Sequence, residues 1–181
     1  MEGSDFIKYR DVERVGRPDN STIFEHQDDD IVVEEKVDGG CGAIFVQDNK
    51  LHICSRNRDM TLLKDEKAFE FQQKWLHNHF KDNVHLLDER FIYYGELMQK
   101  HTINYGKDIP PFIGLDILPK EGAFGKPPLF LGRTAKEKEF KRIGIPVVPL
   151  IWRGTVKEFK KLNIDDLLLS ESGVSKLCPK V

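Results

Sequence analysis

Cysteine, methionine and tryptophan are scarce in this chain of 181 residues, at three, three and two copies. Cys41, Cys54 and Cys178 fall at no spacing that zinc ligands use, and an odd count completes no disulfide framework. A reduced, intracellular setting is therefore expected. No apolar run approaches the length of a membrane span, and the opening Met1 to Arg10 has no apolar signal-peptide core. Neither sign of charge dominates: 28 Lys and Arg face 30 Asp and Glu, for a net charge of -2. That balance argues against a uniformly basic nucleic-acid surface and still allows a local basic groove. Repeats, low-complexity tracts and a linker are also lacking, so one domain over residues 1–181 is expected. Six histidines are scattered. His77 and His79, two apart, do not share a helix face and read as surface or partly buried residues rather than zinc ligands.

The patterns that are present indicate an α+β domain of mixed or antiparallel sheets with flanking helices. The first twenty residues read as loop and short turns, with Pro18-Asp19-Asn20-Ser21 a turn cluster. Ile31-Val32-Val33 reads as a strand running into Glu34-Glu35-Lys36. Ala43 to Gln47 and Leu51 to Arg56 form a hairpin around Asp48-Asn49. From about Asp65 to Phe80 the spacing of Ala68, Phe71, Trp75 and Leu76 predicts an amphipathic helix packed on the sheet. Phe91 to Met98 and Phe112 to Leu118 return to strand character. Thr134 with Glu137, and Thr155 with Glu158, each match a capping box that opens a short helix. Ile145 to Ile151 is extended, because its prolines exclude a helix interior.

The sharpest chemical feature is Lys36-Val37-Asp38-Gly39-Gly40, at a strand end and ahead of a hairpin. A lysine held in a pocket can lose its proton and act as a nucleophile, and glycines let the backbone approach a ligand closely. Three further segments follow: Ser55-Arg56-Asn57-Arg58, Tyr93-Tyr94-Gly95-Glu96-Leu97 and Phe112-Ile113-Gly114-Leu115-Asp116. A glutamate within an apolar strand is costly to bury without a partner, so Glu96 invites a functional explanation. In this order the segments resemble those of the covalent nucleotidyltransferases: ATP-dependent RNA and DNA ligases, with mRNA capping enzymes as more distant relatives. Phe6-Ile7-Lys8-Tyr9 through Glu13 looks like the lead-in of phage- and editing-type RNA ligases, and Ile145 to Thr155 resembles the stretch before their fourth motif. The resemblance thus covers most of the chain and favours RNA ligase.

The resemblance implies that Lys36 attacks the α-phosphate of ATP, releases pyrophosphate and holds AMP, with Mg2+ or Mn2+ as metal. AMP then passes to a 5′-phosphate end of RNA, and a 3′-hydroxyl seals the break. Glu35 would lie near adenine and Asp38-Gly39 would shape the pocket. Arg56 would contact ribose or the incoming phosphate, and Glu96 ribose or a metal-bound water. Asp116 would stand beside a residue that packs on the purine. Leu115 occupies the place where most relatives carry an aromatic, so that packing falls to Leu115 or Phe112. Cys41 stands where RNA ligases often have asparagine.

Two further elements of the family are not found: a Glu-Gly strand ending in lysine, and a later Lys-x-Lys. Glu121 to Lys126 has the right letters but runs into Pro127-Pro128 and follows Asp116 too closely. Glu171 to Lys176 keeps the spacing but has Ser172 in place of glycine. The expectation is a chain that is incomplete, or naturally short, before the fourth motif. Two alternatives on the same scaffold stay open, a DNA ligase and a non-catalytic module that binds nucleotide or nucleic acid. A third is an unrelated α+β domain in which Lys36 and Glu96 are structural.

Overall fold

A computed structural model describes residues 6–61, 71–98, 101–122, 129–168 and 172–174. The chain divides into two compact units. One comprises Met1–Tyr9 and Asp38–Val147, the other Arg10–Val37 and Val148–Val181. Each has its own antiparallel sheet.

The first unit is built on four strands, β2 (Gly40–Gln47), β3 (Lys50–Ser55), β4 (Phe91–Leu97) and β5 (Phe112–Pro119), in the spatial order β3-β2-β4-β5. β2 and β3 form the expected hairpin. Asp48 (φ 51°) and Asn49 (φ 60°) are both left-handed at its tip, the conformation a two-residue turn needs to match the strand twist. Side chains alternate between the two faces. Ile44, Val46, Ile53, Tyr93, Leu97, Phe112 and Ile117 join Leu76 and Phe80 of α1 (Phe71–Phe80) and Phe140 of α2 (Arg133–Arg142) in one core. Ala43, Phe45, Cys54, Ile92, Tyr94 and Leu118 occupy the other face, where Phe6, Ile7, Tyr9 and Phe130 pack on them. The N-terminal segment thus covers the face opposite the helices.

The second unit pairs β1 (Asp30–Glu34) with β6 (Leu150–Thr155) and carries α3 (Val156–Phe159) and α4 (Ile164–Leu168). β6 is a strand that sequence patterning did not assign; only its approach through Ile145 to Ile151 reads as extended. Val147 makes an isolated parallel bridge to Gly114 within the first unit.

Two local expectations meet different outcomes. The Thr155–Glu158 capping box is present, each side chain bonding the other residue's backbone N–H. The Thr134–Glu137 box is not. α2 begins two residues earlier, with Gly132 as N-cap, and the N–H groups of Ala135 and Lys136 donate to Gly132 O. Arg133 Nε donates to Glu137 at 2.6 Å, so that carboxylate is engaged sideways instead of reaching back. Ala68 and the first turns of the predicted 65–80 helix lie outside the described residues. No helix among the described residues is long and apolar enough to cross a membrane.

Candidate nucleotide-binding site

In the second unit, Lys36 follows directly on the end of β1. The Glu35 N–H donates to Pro149 O at 3.0 Å, and the Val37 N–H donates back to Glu35 O at 3.1 Å. A bond spanning two residues makes a γ-turn with Lys36 at its centre, and its φ is not positive, so the turn is the common inverse form. Glu35 and Val37 are buried at 3% and 2% exposure, while Lys36 is exposed. The turn therefore anchors its two flanks inward and presents the lysine outward. Glu35 is held by both carboxylate oxygens. Ser172 Oγ donates to one, and the Gly173 N–H donates to the other at 2.8 Å.

In the first unit, Asp38 and Gly39 lead into β2. Asp38 fastens a loop: its Oδ2 accepts from Thr102 N (2.6 Å), Thr102 Oγ1 (2.5 Å) and Ile103 N (3.0 Å), and its own N–H donates to Tyr105 Oη at 2.9 Å. Gly39 lies against β4. A Cβ there would sit 2.9 Å from Leu97 O, closer than such contacts allow, and a tight 3.1 Å from Glu96 Oε2. Glycine is required for that approach.

Glu96 is half-buried and faces Cys41 across the β2–β4 pair, on the sheet face opposite the helices. The Cys41 thiol is pushed up to about 11, first by burial and then by the Glu96 carboxylate, and Arg56 and Lys8 pull the other way. Four of these side chains, Glu96, Cys41, Arg56 and Lys8, thus share one electrostatic neighbourhood. Arg56 is exposed just beyond β3, at a turn closed by the Ser55 N–H donating to Arg58 O at 3.0 Å.

Asp116 stands next to a β-bulge. Tyr94 pairs with Asp116 and Gly95 with Gly114, so Leu115 is the extra residue. Tyr9 Oη donates to Asp116 Oδ2 at 2.5 Å, and Lys136 Nζ donates to Asp116 Oδ1 at 3.0 Å and to Leu115 O at 2.6 Å. The aspartate is thereby a structural keystone between α2, β5 and the N-terminal segment. Phe112 is wholly buried, its ring packed over Gly95 in the helix-side core. That corrects the expectation that it stacks on a purine: a ring without exposed surface has no face to offer. Leu115, half-buried in the bulge, is the other residue named for that contact.

The first unit therefore gathers Gly39, Glu96 and Arg56 and sets Phe112 on the opposite face. Sequence reasoning missed Lys136, Thr102, Tyr105, and the buried pair His52 and Asp59. Lys136 had a signal only in retrospect, as a lysine on the buried side of an otherwise charged helix. The other four come from loops or strand positions whose partners are remote in sequence.

The RNA ligase family model matches residues 29–177. No curated protein matches the chain by sequence. Among solved structures, Naegleria gruberi RNA ligase with pyrophosphate superposes with a TM-score of 0.68 at 17% identity, covering 99% of this chain and 52% of that one. A lysine-to-alanine variant of the same ligase, with ATP and manganese, gives 0.69 at 16% identity with the same coverages. An arginine-to-alanine variant, also with ATP and manganese, gives 0.66 at 16%. At such identities the likeness shows the fold, an α+β nucleotidyltransferase-like architecture, and the chain spans about half the length of these structures. With the family model matching most of its residues, this chain belongs to the RNA ligase family.

Proposed function

We propose that the chain is the nucleotide-binding part of an ATP-dependent RNA ligase and that Lys36 carries AMP. The observation behind this reading is the Lys36-Val37-Asp38-Gly39 segment, inside the family match, with the lysine exposed at the apex of a γ-turn. Lys36 Nζ, once deprotonated, attacks the α-phosphorus of ATP. A P–N bond forms, the P–O bond to pyrophosphate breaks, and the lost proton goes to solvent. A 5′-phosphate oxygen of RNA then attacks the same phosphorus, breaking the P–N bond and returning the lysine. Finally a 3′-hydroxyl attacks the activated 5′-phosphate and AMP leaves.

The other side chains position and neutralise. Arg56 offers a guanidinium to phosphate or ribose. Glu96 contacts ribose or an ordered water, and Leu115 packs on the purine. Asp38 and Asp116 act through the loop and strand they hold. Glu35 acts beside adenine or by holding residues 172–173. Mg2+ or Mn2+ bound with ATP would screen its phosphate charge; Mg2+ commonly keeps most ligands as water and phosphate oxygen. The half-buried carboxylate of Glu96 fits a hydrogen bond to such a water.

Incubation of the full-length protein with ATP labelled at the α-phosphate, with Mg2+ or Mn2+, should label it covalently and leave its Lys36→Ala variant unlabelled. Equal labelling of the two proteins would overturn the assignment of the nucleophile, and an unlabelled wild type in both metals would overturn the activity. Transfer of the label to 5′-phosphorylated RNA rather than to nicked DNA separates the two ligase classes.

A further inference from the structure

A buried acid–imidazole pair lies at the base of the turn that carries Arg56. His52, on β3, is 8% exposed and Asp59 7%. Their side chains meet at 2.6 Å between Nδ1 and Oδ2. An ionised carboxylate only accepts, so Nδ1 carries the proton. The imidazole is stacked on Phe45, with ring centroids 4.7 Å apart and planes 13° from parallel, which fixes its orientation. Asp59 uses its other oxygen to accept from the Thr61 N–H at 3.0 Å and from Thr61 Oγ1.

Around this pair the chain doubles back on itself. The Met60 N–H donates to Ile53 O at 2.9 Å, the Ile53 N–H donates to Thr61 Oγ1 at 3.3 Å, and Cys54 bridges to Asp59. Residues 59–61 thus form a short return against β3, and Ser55 to Arg58 are the turn at its end. Arg56, Asn57 and Arg58 are all exposed there, so two guanidinium groups stand within three residues on a backbone clamped from beneath. A flexible turn would have to be ordered whenever an anion bound; a clamped one has met that entropy in folding. Ligand-binding turns otherwise belong to the least stable parts of a fold. A buried carboxylate hydrogen-bonded at both oxygens is costly to build and makes sense where geometry matters.

We propose that His52 and Asp59 are positioning residues that hold the 55–58 turn so that Arg56, with Arg58 beside it, grips a phosphate. This rests on the ligase reading for the identity of that phosphate, which belongs either to ATP or to the 5′ end of RNA.

The test uses the whole chain and five variants. His52→Ala removes the imidazole, Asp59→Asn leaves one acceptor oxygen where two are engaged, and His52→Asn keeps a donor where Nδ1 stood. Arg56→Ala removes the cation, and His52→Ala/Arg56→Ala combines both. Affinities for ATP and for a 5′-phosphorylated single-stranded RNA are measured by calorimetry in separate arms, and amide exchange is followed at Ser55 and Met60. In whichever arm Arg56→Ala weakens binding, His52→Ala and Asp59→Asn should weaken it about fivefold or more and speed exchange at both amides. His52→Asn should recover most of the loss, and the double variant should be no weaker than Arg56→Ala alone, as expected for residues acting through one another.

If His52→Ala or Asp59→Asn fails to fold, His52→Asn beside Thr61→Val carries the same comparison. Loss with Arg56→Ala but affinities within twofold for the pair variants would overturn the positioning role and leave the ligase reading intact. Unchanged binding with Arg56→Ala in both arms would overturn the proposal together with the phosphate role of Arg56. Lysine labelling by ATP still reports on the ligase reading in that case.

Discussion

Gly39 illustrates how a single residue constrains the site. Its Cα runs against the backbone carbonyl of Leu97 and the Glu96 carboxylate, and even one methyl group would push β2 away from β4. Gly39→Ala is expected to lower covalent labelling by ATP about tenfold or more, equivalent to roughly 1.4 kcal/mol in the barrier. Thermal unfolding should move only slightly, because the displaced residues are at a strand end. Unchanged labelling would mean that the close approach has no part in nucleotide handling. Lys36 shows the converse. Nothing in its own side chain marks it out; the inverse γ-turn between two buried neighbours does. The four-residue pattern pointed to this lysine from sequence alone because the motif is local, needing only contiguous residues. The roles of Asp38 and Asp116 were not legible in that way, since their partners Thr102, Tyr105, Tyr9 and Lys136 lie far along the chain.

At the scale of elements, α2 is charged along most of its length yet sends one lysine inward. Lys136 is 3% exposed and its ammonium donates to both Asp116 and the Leu115 carbonyl. Removing one partner from a buried pair leaves the other uncompensated, which commonly costs about 3–5 kcal/mol. Asp116 retains some exposure, so Lys136→Ala is expected near the lower end, about 3 kcal/mol by urea unfolding. Asp116→Asn, which keeps an acceptor, should cost less. A loss under ~0.5 kcal/mol, the level of a surface pair, would show that the pair adds little. The same helix explains the misread capping box. Thr134 and Glu137 have the spacing of a box, but Arg133 claims the glutamate, and the first helical carbonyl is that of Gly132. The hairpin around Asp48-Asn49 was readable because its turn chemistry is self-contained. β6 was not, because its pairing with β1 spans most of the chain.

Across the first unit as a whole, a polar network ties α2 to the segment before β4. Tyr93 Oη donates to Glu139 at 2.7 Å, Arg142 donates to Glu139 and to Leu86 O, and the Asp88 N–H donates to Tyr93 Oη. The Glu139 carboxyl is held below its ordinary value chiefly by the Arg142 hydrogen bonds, with Tyr93 adding and burial opposing. Asp88 is lowered too, mainly by Arg90. A carboxyl with a depressed folded value stabilises the fold above its unfolded value, and that contribution is lost as pH falls through the folded one. Urea midpoints should therefore be flat near neutrality and fall in acid, below the ordinary carboxyl value of 4.5. Glu139→Gln should flatten that decline; an equally steep decline in the variant would remove Glu139 as a source.

By itself, the sequence determined the α+β class, the hairpin and the RNA ligase resemblance, and through that resemblance it nominated Lys36, Arg56 and Glu96. These follow from alternation, turn residues and contiguous motifs, all properties of neighbouring residues. Only the tertiary structure decided that Phe112 is core and that Asp38 and Asp116 are fasteners. It also decided that His52 and Asp59 meet as a buried pair beside the turn that carries Arg56. Burial and hydrogen-bond partnership depend on which distant segments the fold brings into contact, and no local pattern encodes that.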